Sequence, residues 1–332
     1  MPTRSKRQAQ SQAASQNAKL AHENAAKNIR ECYQNRRLQR FPPSVHFSLK
    51  GKTCALPPAA ERFQTAASVF TVETAGGITA AGAQLHLEDP TLRIATVIAS
   101  NSGWPGGACR DISGEIDKYQ IHDHHYTQEE DIVSNWLLTA SECWLMRSRH
   151  FARISGSFGL RSPEGTDTAT KQGIDYTTSG VMGARIYADA WCCQGARLSD
   201  KRVTGTAAAR FDTTRTYPTT LVFCAGPNAQ ENGPNWRWAN RTFSERAHND
   251  RSFLDAGVAW AVYTALHASA ECGCDTVLLP FVSGGLYAGP WRYNPDLLAN
   301  VERMLQTGEL PDGTTCAPLG KYFRKVVFVV QT

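Results

Sequence analysis

The stretch 68–74 (SVFTVET) is a strand candidate, and four others are nearly continuous in apolar, largely β-branched residues: 94–99 (IATVIA), 219–225 (TTLVFCA), 276–281 (TVLLPF) and 325–331 (KVVFVVQ). Runs of this kind suit strands covered on both faces of a sheet. Two weaker patterns predict further strands, 83–87, which alternates and closes at the turn Glu88-Asp89-Pro90, and 181–187. Helical spacing lies between them. Thr127 caps a helix to about Arg149 with Ile132, Trp136, Leu137, Cys143 and Trp144 inward. A long helix is expected over 240–271, with Leu254, Val258, Ala261 and Ala265 on one stripe and Cys272-Gly273 at its end. Another follows at 295–306. Strands alternating with helices predict an α/β domain over 61–332, its mixed or parallel sheet covered on both sides. Ser/Gly/Thr-rich patches at 155–170 and 199–206 mark an insertion over about 150–215.

Composition changes the picture mainly at the N-terminus. Residues 1–40 hold nine Lys/Arg against two Glu, while the remainder holds 26 basic and 28 acidic residues. The positive charge therefore sits in a tail too poor in apolar residues to bury a core, partly helical over about 16–38. Contact with nucleic acid is confined to that tail. Residues 41–58, with Pro42-Pro43 and Pro57-Pro58, read as a linker, so 1–60 is an extension to the domain. No apolar run approaches the ~20 residues that span a bilayer, and the first residues have no secretory core. The ten cysteines form no paired CxxC frame and read as reduced thiols, consistent with a cytoplasmic protein or an effector delivered into a host cytosol. Cys272 and Cys274 lack a second ligand pair for zinc.

Candidate chemistry gathers in loops that follow strands. After 94–99 come Asn101 and Pro105-Gly106-Gly107, where paired glycines let backbone approach a ligand. The helix beyond opens on Gln128, Glu129, Glu130 and Asp131. Neighbouring Glu129 and Glu130 stand about 100° apart around a helix axis, so they meet different surroundings. They suit either acid–base work or simple stabilisation of a helix N-terminus. The run Ser283-Gly284-Gly285-Leu286-Tyr287-Ala288-Gly289 links a strand to a helix, the sequence pattern of a phosphate cradle as well as of an ordinary tight turn. His122, Asp123, His124 and His125 form a polar loop open to metal or substrate contact, and Trp236-Arg237-Trp238 suits stacking on a base or anchoring a loop.

The order Asn101, Pro105-Gly106-Gly107, Gln128-Glu129-Glu130 resembles the signature of the poly(ADP-ribose) glycohydrolases. Gly226-Pro227-Asn228-Ala229 after 219–225 is similar to a step in the bacterial type. The resemblance implies a macrodomain: three layers, α/β/α, on a mixed central sheet. It further implies that Asn101, Gly106, Gly107 and Gln128 serve the ribose, with Glu129 on its hydroxyl and Glu130 as general acid. Tyr287 would lie over the ribose within the 283–289 turn. Glu88, thirteen positions before Asn101, would accept a hydrogen bond from the adenine amino group. Pro105 replaces the first glycine of the family's triplet, and the longer spacer to Gln128 implies an insertion over about 108–127.

The expected activity is removal of ADP-ribose from a modified protein, mono-ADP-ribose (arginine-linked among the options) slightly favoured over the polymer. No cofactor or metal is implied. A non-hydrolytic ADP-ribose reader and a nucleic-acid protein acting through its basic tail are the competing readings.

Overall fold

The structure is a computed structural model that describes residues 44–49, 54, 63–74, 77–99, 183–199, 216–229, 241–284, 286–291 and 296–331. Seven strands form one sheet: β1 (Ser44–Ser48), β2 (Val69–Thr74), β3 (Ile94–Ala99), β4 (Asp189–Ser199), β5 (Thr216–Cys224), β6 (Thr276–Leu279) and β7 (Lys325–Gln331). Their order is β1-β4-β5-β3-β6-β7-β2. From β5 to β2 all neighbours run parallel, while β4 is antiparallel to both β1 and β5. The sheet is mixed, as expected.

Strand residues separate into two cores with the period of two that a pleated strand imposes. Ala95, Val97, Val222, Cys224, Val277 and Phe328 face one side. Ile94, Ile98, Leu221, Phe223, Leu278 and Val327 face the other. The first side is covered by α3 (Arg251–Glu271), preceded by α2 (Arg241–Asn249) and joined by α4 (Leu297–Gln306); the second is covered by α1 (Gly77–Glu88). Three layers result, α/β/α. The expected stripe of Leu254, Val258, Ala261 and Ala265 is buried, but burial extends almost around α3, from Phe253 to Ala270. A helix apolar all round belongs inside. Two of its buried hydroxyls are returned to its own backbone, Thr264 to Trp260 O (2.8 Å) and Ser269 to Ala265 O (2.7 Å).

Four expectations change. Residues 83–87 are the last turns of α1, not a strand: Gly77–Glu88 is one continuous helix whose first half, Gly77–Ala83, is buried. The helix expected over 240–271 breaks at Asp250, whose extended backbone (φ −127°) and carboxylate cap α3 by accepting from Phe253 N at 3.1 Å. The strand expected over 181–187 is displaced. Gly183–Tyr187 is a short 3₁₀ turn, and the strand follows as β4. Ser44–Ser48, expected in a linker, pairs with β4 as an outer strand.

One buried polar group fixes the middle of the sheet. Thr96 Oγ lies 2.9 Å from Thr219 Oγ and 3.2 Å from Tyr217 OH, all sealed beneath α1. The Tyr217 ring fits because Gly82 of α1 has no side chain; a Cβ there would stand 2.2 Å from Tyr217 Cζ. Gly82→Ala is therefore expected to destabilise the fold by about 1–3 kcal/mol through overpacking, although alanine is the better helix former. Urea denaturation of the variant measures it, and an unchanged midpoint would refute it.

Among the described residues no helix is long and apolar enough to cross a membrane, and no group of three His, Cys, Asp or Glu is placed to hold a metal ion.

Candidate functional site

A parallel sheet delivers its carboxyl ends to one edge, where loops are free to form a site. β3 lies between β5 and β6, with Ala99 in register with Cys224, and β6 stops at Leu279 ahead of Pro280. The loops leaving β5 (225–229) and β6 (280–291) thus flank the end of β3.

These two loops are locked to each other. Ser283 Oγ donates to Pro227 O at 2.6 Å. Gly226 makes that approach possible, since a Cβ on it would lie 2.4 Å from Ser283 Oγ. Ser283 itself holds φ +53°, a left-handed conformation that costs a non-glycine residue about 1–3 kcal/mol and persists only where surroundings enforce it. The hydroxyl bond to Pro227 is that enforcement, together with Gly284 N donating to Phe281 O at 3.1 Å. Farther along, Ala229 N donates to Tyr287 O (2.8 Å), and Ala229 O accepts from Nδ1 of His248 (2.8 Å). Gly289 closes the turn at φ +59°, its missing Cβ occupied by the Ala229 carbonyl, which would stand 2.0 Å away. Trp291 Nε1 then donates to Ala247 O (3.0 Å) and ties the far end to α2. From below, Phe281 meets Phe328 of β7 edge to face at 4.4 Å.

Against this turn lies a shallow hollow walled in part by Arg251, Asp255, Phe281, Ser283, Gly284 and Trp291. Arg251 Nε sits 3.2 Å from Asp255 Oδ2. Burial pushes the Asp255 carboxyl above its usual range, and the Arg251 partner opposes that rise. One cation and one carboxyl of reduced acidity therefore border the space at the start of α3.

The architecture matches solved structures in this same form. The chain is similar to a poly(ADP-ribose) glycohydrolase from Thermomonospora curvata at 15% identity, with 94% of this chain and 93% of that chain covered and a TM-score of 0.53. The same enzyme bound to the inhibitor ADP-HPD matches at 16% identity over the same shares, with a TM-score of 0.50. A Deinococcus radiodurans poly(ADP-ribose) glycohydrolase in complex with ADP-ribose matches at 15% identity over 87% of each chain, with a TM-score of 0.48. The fold is macrodomain-like. No protein-family model matches the sequence, and no curated protein matches it either.

Within the macrodomain-like frame, Asn228, Ser283, Gly284, Leu286, Tyr287, Ala288 and Gly289 come together at the carboxyl end of the sheet. Asn101, Gly106, Gly107, Gln128, Glu129, Glu130 and Gly285 lie outside the described residues, as do His122, His124, His125 and Trp236-Arg237-Trp238.

Glu88 does not join the group. α1 runs antiparallel to the strands it connects, so its last residue stands at the opposite, amino end of the sheet. There Glu88 accepts from Gln84 Nε2 (3.0 Å), and adjacent Asp89 pairs with Arg324, one residue before β7. An adenine-binding role drawn from the spacing to Asn101 is incompatible with that position. A spacing to Asn101 counts positions along the chain and does not say to which end of the sheet a helix carries Glu88. His248 and Trp291 belong to the site without having been singled out by sequence, and Gly226 was named only within the Gly226-Pro227-Asn228-Ala229 step. Gly226 had a visible cue, a glycine immediately after a buried strand. His248 and Trp291 had none.

Proposed function

We propose that the chain is an ADP-ribosyl glycohydrolase that removes ADP-ribose from modified protein. The carrying observation is the interlocked pair of loops 225–229 and 280–291 on either side of the end of β3. In this reading the turn 283–289 receives the pyrophosphate on its backbone, as strand-to-helix turns rich in glycine do. Tyr287 and Asn228 border the same ligand. β3 leads within two residues to Asn101, then to Gly106 and Gly107, which hold the ribose to be cleaved. Gln128 and Glu129 complete that grip. Glu130 protonates the departing atom as the anomeric carbon approaches an oxocarbenium-like state, and a water completes the exchange. The fold shared with a poly(ADP-ribose) glycohydrolase solved with an inhibitor supports this assignment. The altered first position of the glycine triplet, Pro105, and the long spacer to Gln128 favour mono-ADP-ribose on a side chain over the polymer. The seven described cysteines are free thiols, which suits a reducing cytosol.

The test offers the full chain mono-ADP-ribosylated protein, poly-ADP-ribosylated protein and free ADP-ribose. Release of ADP-ribose is followed by mass spectrometry and affinity by calorimetry. Release from the mono-modified substrate, with saturable binding of ADP-ribose, is expected. Binding without release from either substrate would make the protein a reader, and no binding at all would overturn both readings.

A further inference from the structure

Away from the strand-end loops, two cysteines distant in sequence meet. Ala317 N donates to Cys54 O at 3.2 Å, so the backbones at 54 and 316–317 run one hydrogen bond apart. That spacing is compatible with the Cα separation a disulfide needs. The two thiols are in hydrogen-bonding contact with each other, and Tyr263 OH, which donates to Ala317 O (2.8 Å), lies beside Cys316. A guanidinium is fixed on the same spot. Arg185 donates to Leu49 O through Nε and a terminal nitrogen (3.0 and 2.7 Å) and stacks on Trp260 at 4.7 Å. From that clamp it reaches Cys54 Sγ at 3.7 Å. Cys54 is half-buried and Cys316 buried. Nothing in the proposed hydrolysis uses either residue.

We propose that Cys54 and Cys316 form a peroxide-responsive thiol pair that closes to a disulfide. Cys54 is the attacking member. The hydrogen bond from Cys316, and behind it the charge of Arg185, lower its thiol from the usual range to about 7, against the opposing effect of burial. Cys316 keeps the shared proton, raised by Cys54 and by burial. The thiolate, not the thiol, is the nucleophile. Cys54 thiolate attacks one oxygen of hydrogen peroxide; the O–O bond breaks, the leaving hydroxide takes a proton, and Cys54 becomes a sulfenic acid. The Cys316 sulfur then displaces that hydroxyl as a second water and loses its proton. Two thiols give up two electrons and two protons, and one peroxide becomes two waters. The bond joins the chain at residue 54 to the loop that Trp260 and Tyr263 of α3 hold through Asp312 and Ala317.

The competing pair is Cys192 and Cys272. There the Cys272 thiol is lowered by its contact with Cys192, but burial holds Cys192 well above its range and no arginine is among the groups acting on either sulfur. That contrast makes the experiment selective. The reduced full chain is treated at pH 7 with one equivalent of hydrogen peroxide, alkylated and digested with trypsin without reduction. Peptide 53–62 is expected joined to peptide 304–321, two hydrogens lighter than their sum. Cys316→Ser should stop at a sulfenic acid on Cys54 that dimedone traps. Arg185→Gln should slow the first step at pH 7 by withdrawing thiolate from Cys54, and the gap should close at pH 9. A wild-type map that joins Cys192 to Cys272 instead, or leaves Cys54 no more oxidised than Cys272, would overturn the proposal. The wild-type map needs no substitution, so it decides between the two pairs even where a variant fails to fold.

Discussion

Glu130→Gln is expected to lower release of ADP-ribose from modified protein by about 10²–10⁴-fold while ADP-ribose itself binds as before. The size is that of a general acid lost from a glycosidic cleavage, where the leaving atom departs poorly without a proton. The amide is nearly isosteric with the protonated carboxyl but has no proton to give. The loss should therefore fall on kcat and on kcat/KM together, the pattern of an interaction made only in the transition state. Glu129→Gln should differ in kind. A residue that holds the ribose hydroxyl in the ground state raises KM as well as lowering kcat. Turnover by the wild-type enzyme should also decline as pH rises past the point where the acid keeps its proton, and that limb should vanish in Glu130→Gln. Equal activity of wild type and Glu130→Gln across pH would remove Glu130 from the mechanism while leaving the fold untouched.

The elements legible in the sequence are those whose neighbours are uniform. β3, β5, β6 and β7 are buried on both faces, so each reads as an unbroken apolar run and each lies within a few residues of its expected place. α1 was hidden for the opposite reason. Its C-terminal half, Ala83-Gln84-Leu85-His86-Leu87, alternates small or apolar with polar residues, the mark of a strand. Its buried side is instead the alanine-rich first half, Gly77 to Ala83, which carries too little bulk to signal a helix period. β4 was hidden by its own irregularity. Between Cys193 and Ala196 the pairing with β5 slips, around Gly195 at φ +72°, and the slip breaks the alternation by which a strand is recognised. β1 lies behind Pro42-Pro43, a cue for a linker, and becomes a strand only because β4 offers it an edge. At the site, the glycines and Ser283 could be picked out as a turn. Their partners could not, since Ser283 and Pro227 are joined across 56 positions and no local pattern encodes such a bond.

That long-range lock makes Gly289 the position where one methyl group should do most damage to ligand binding. Gly289→Ala is expected to weaken ADP-ribose by about 100-fold or more, with a smaller loss of global stability. Two costs coincide. The backbone at φ 59°, ψ −126° is open to glycine and closed to residues with a Cβ, worth about 1–3 kcal/mol by itself. The added carbon would also stand 2.0 Å from Ala229 O, an atom that cannot rotate aside. Relief requires the backbone to move. The same Ala229 receives His248 at its carbonyl and offers its N–H to Tyr287 O, so movement there opens both loops of the proposed pyrophosphate site. A loss of about 2.7 kcal/mol in binding corresponds to the 100-fold expected. Global unfolding should register less, because Tyr287, Ala288 and Gly289 are not members of the two cores that hold the sheet, although neighbouring Ala229 and Val282 are. Calorimetric titration of ADP-ribose and urea denaturation on the same variant separate the two effects. Unchanged affinity in a folded Gly289→Ala protein would mean that the 280–291 loop does not carry the phosphates, and the site would have to be sought elsewhere on the sheet edge.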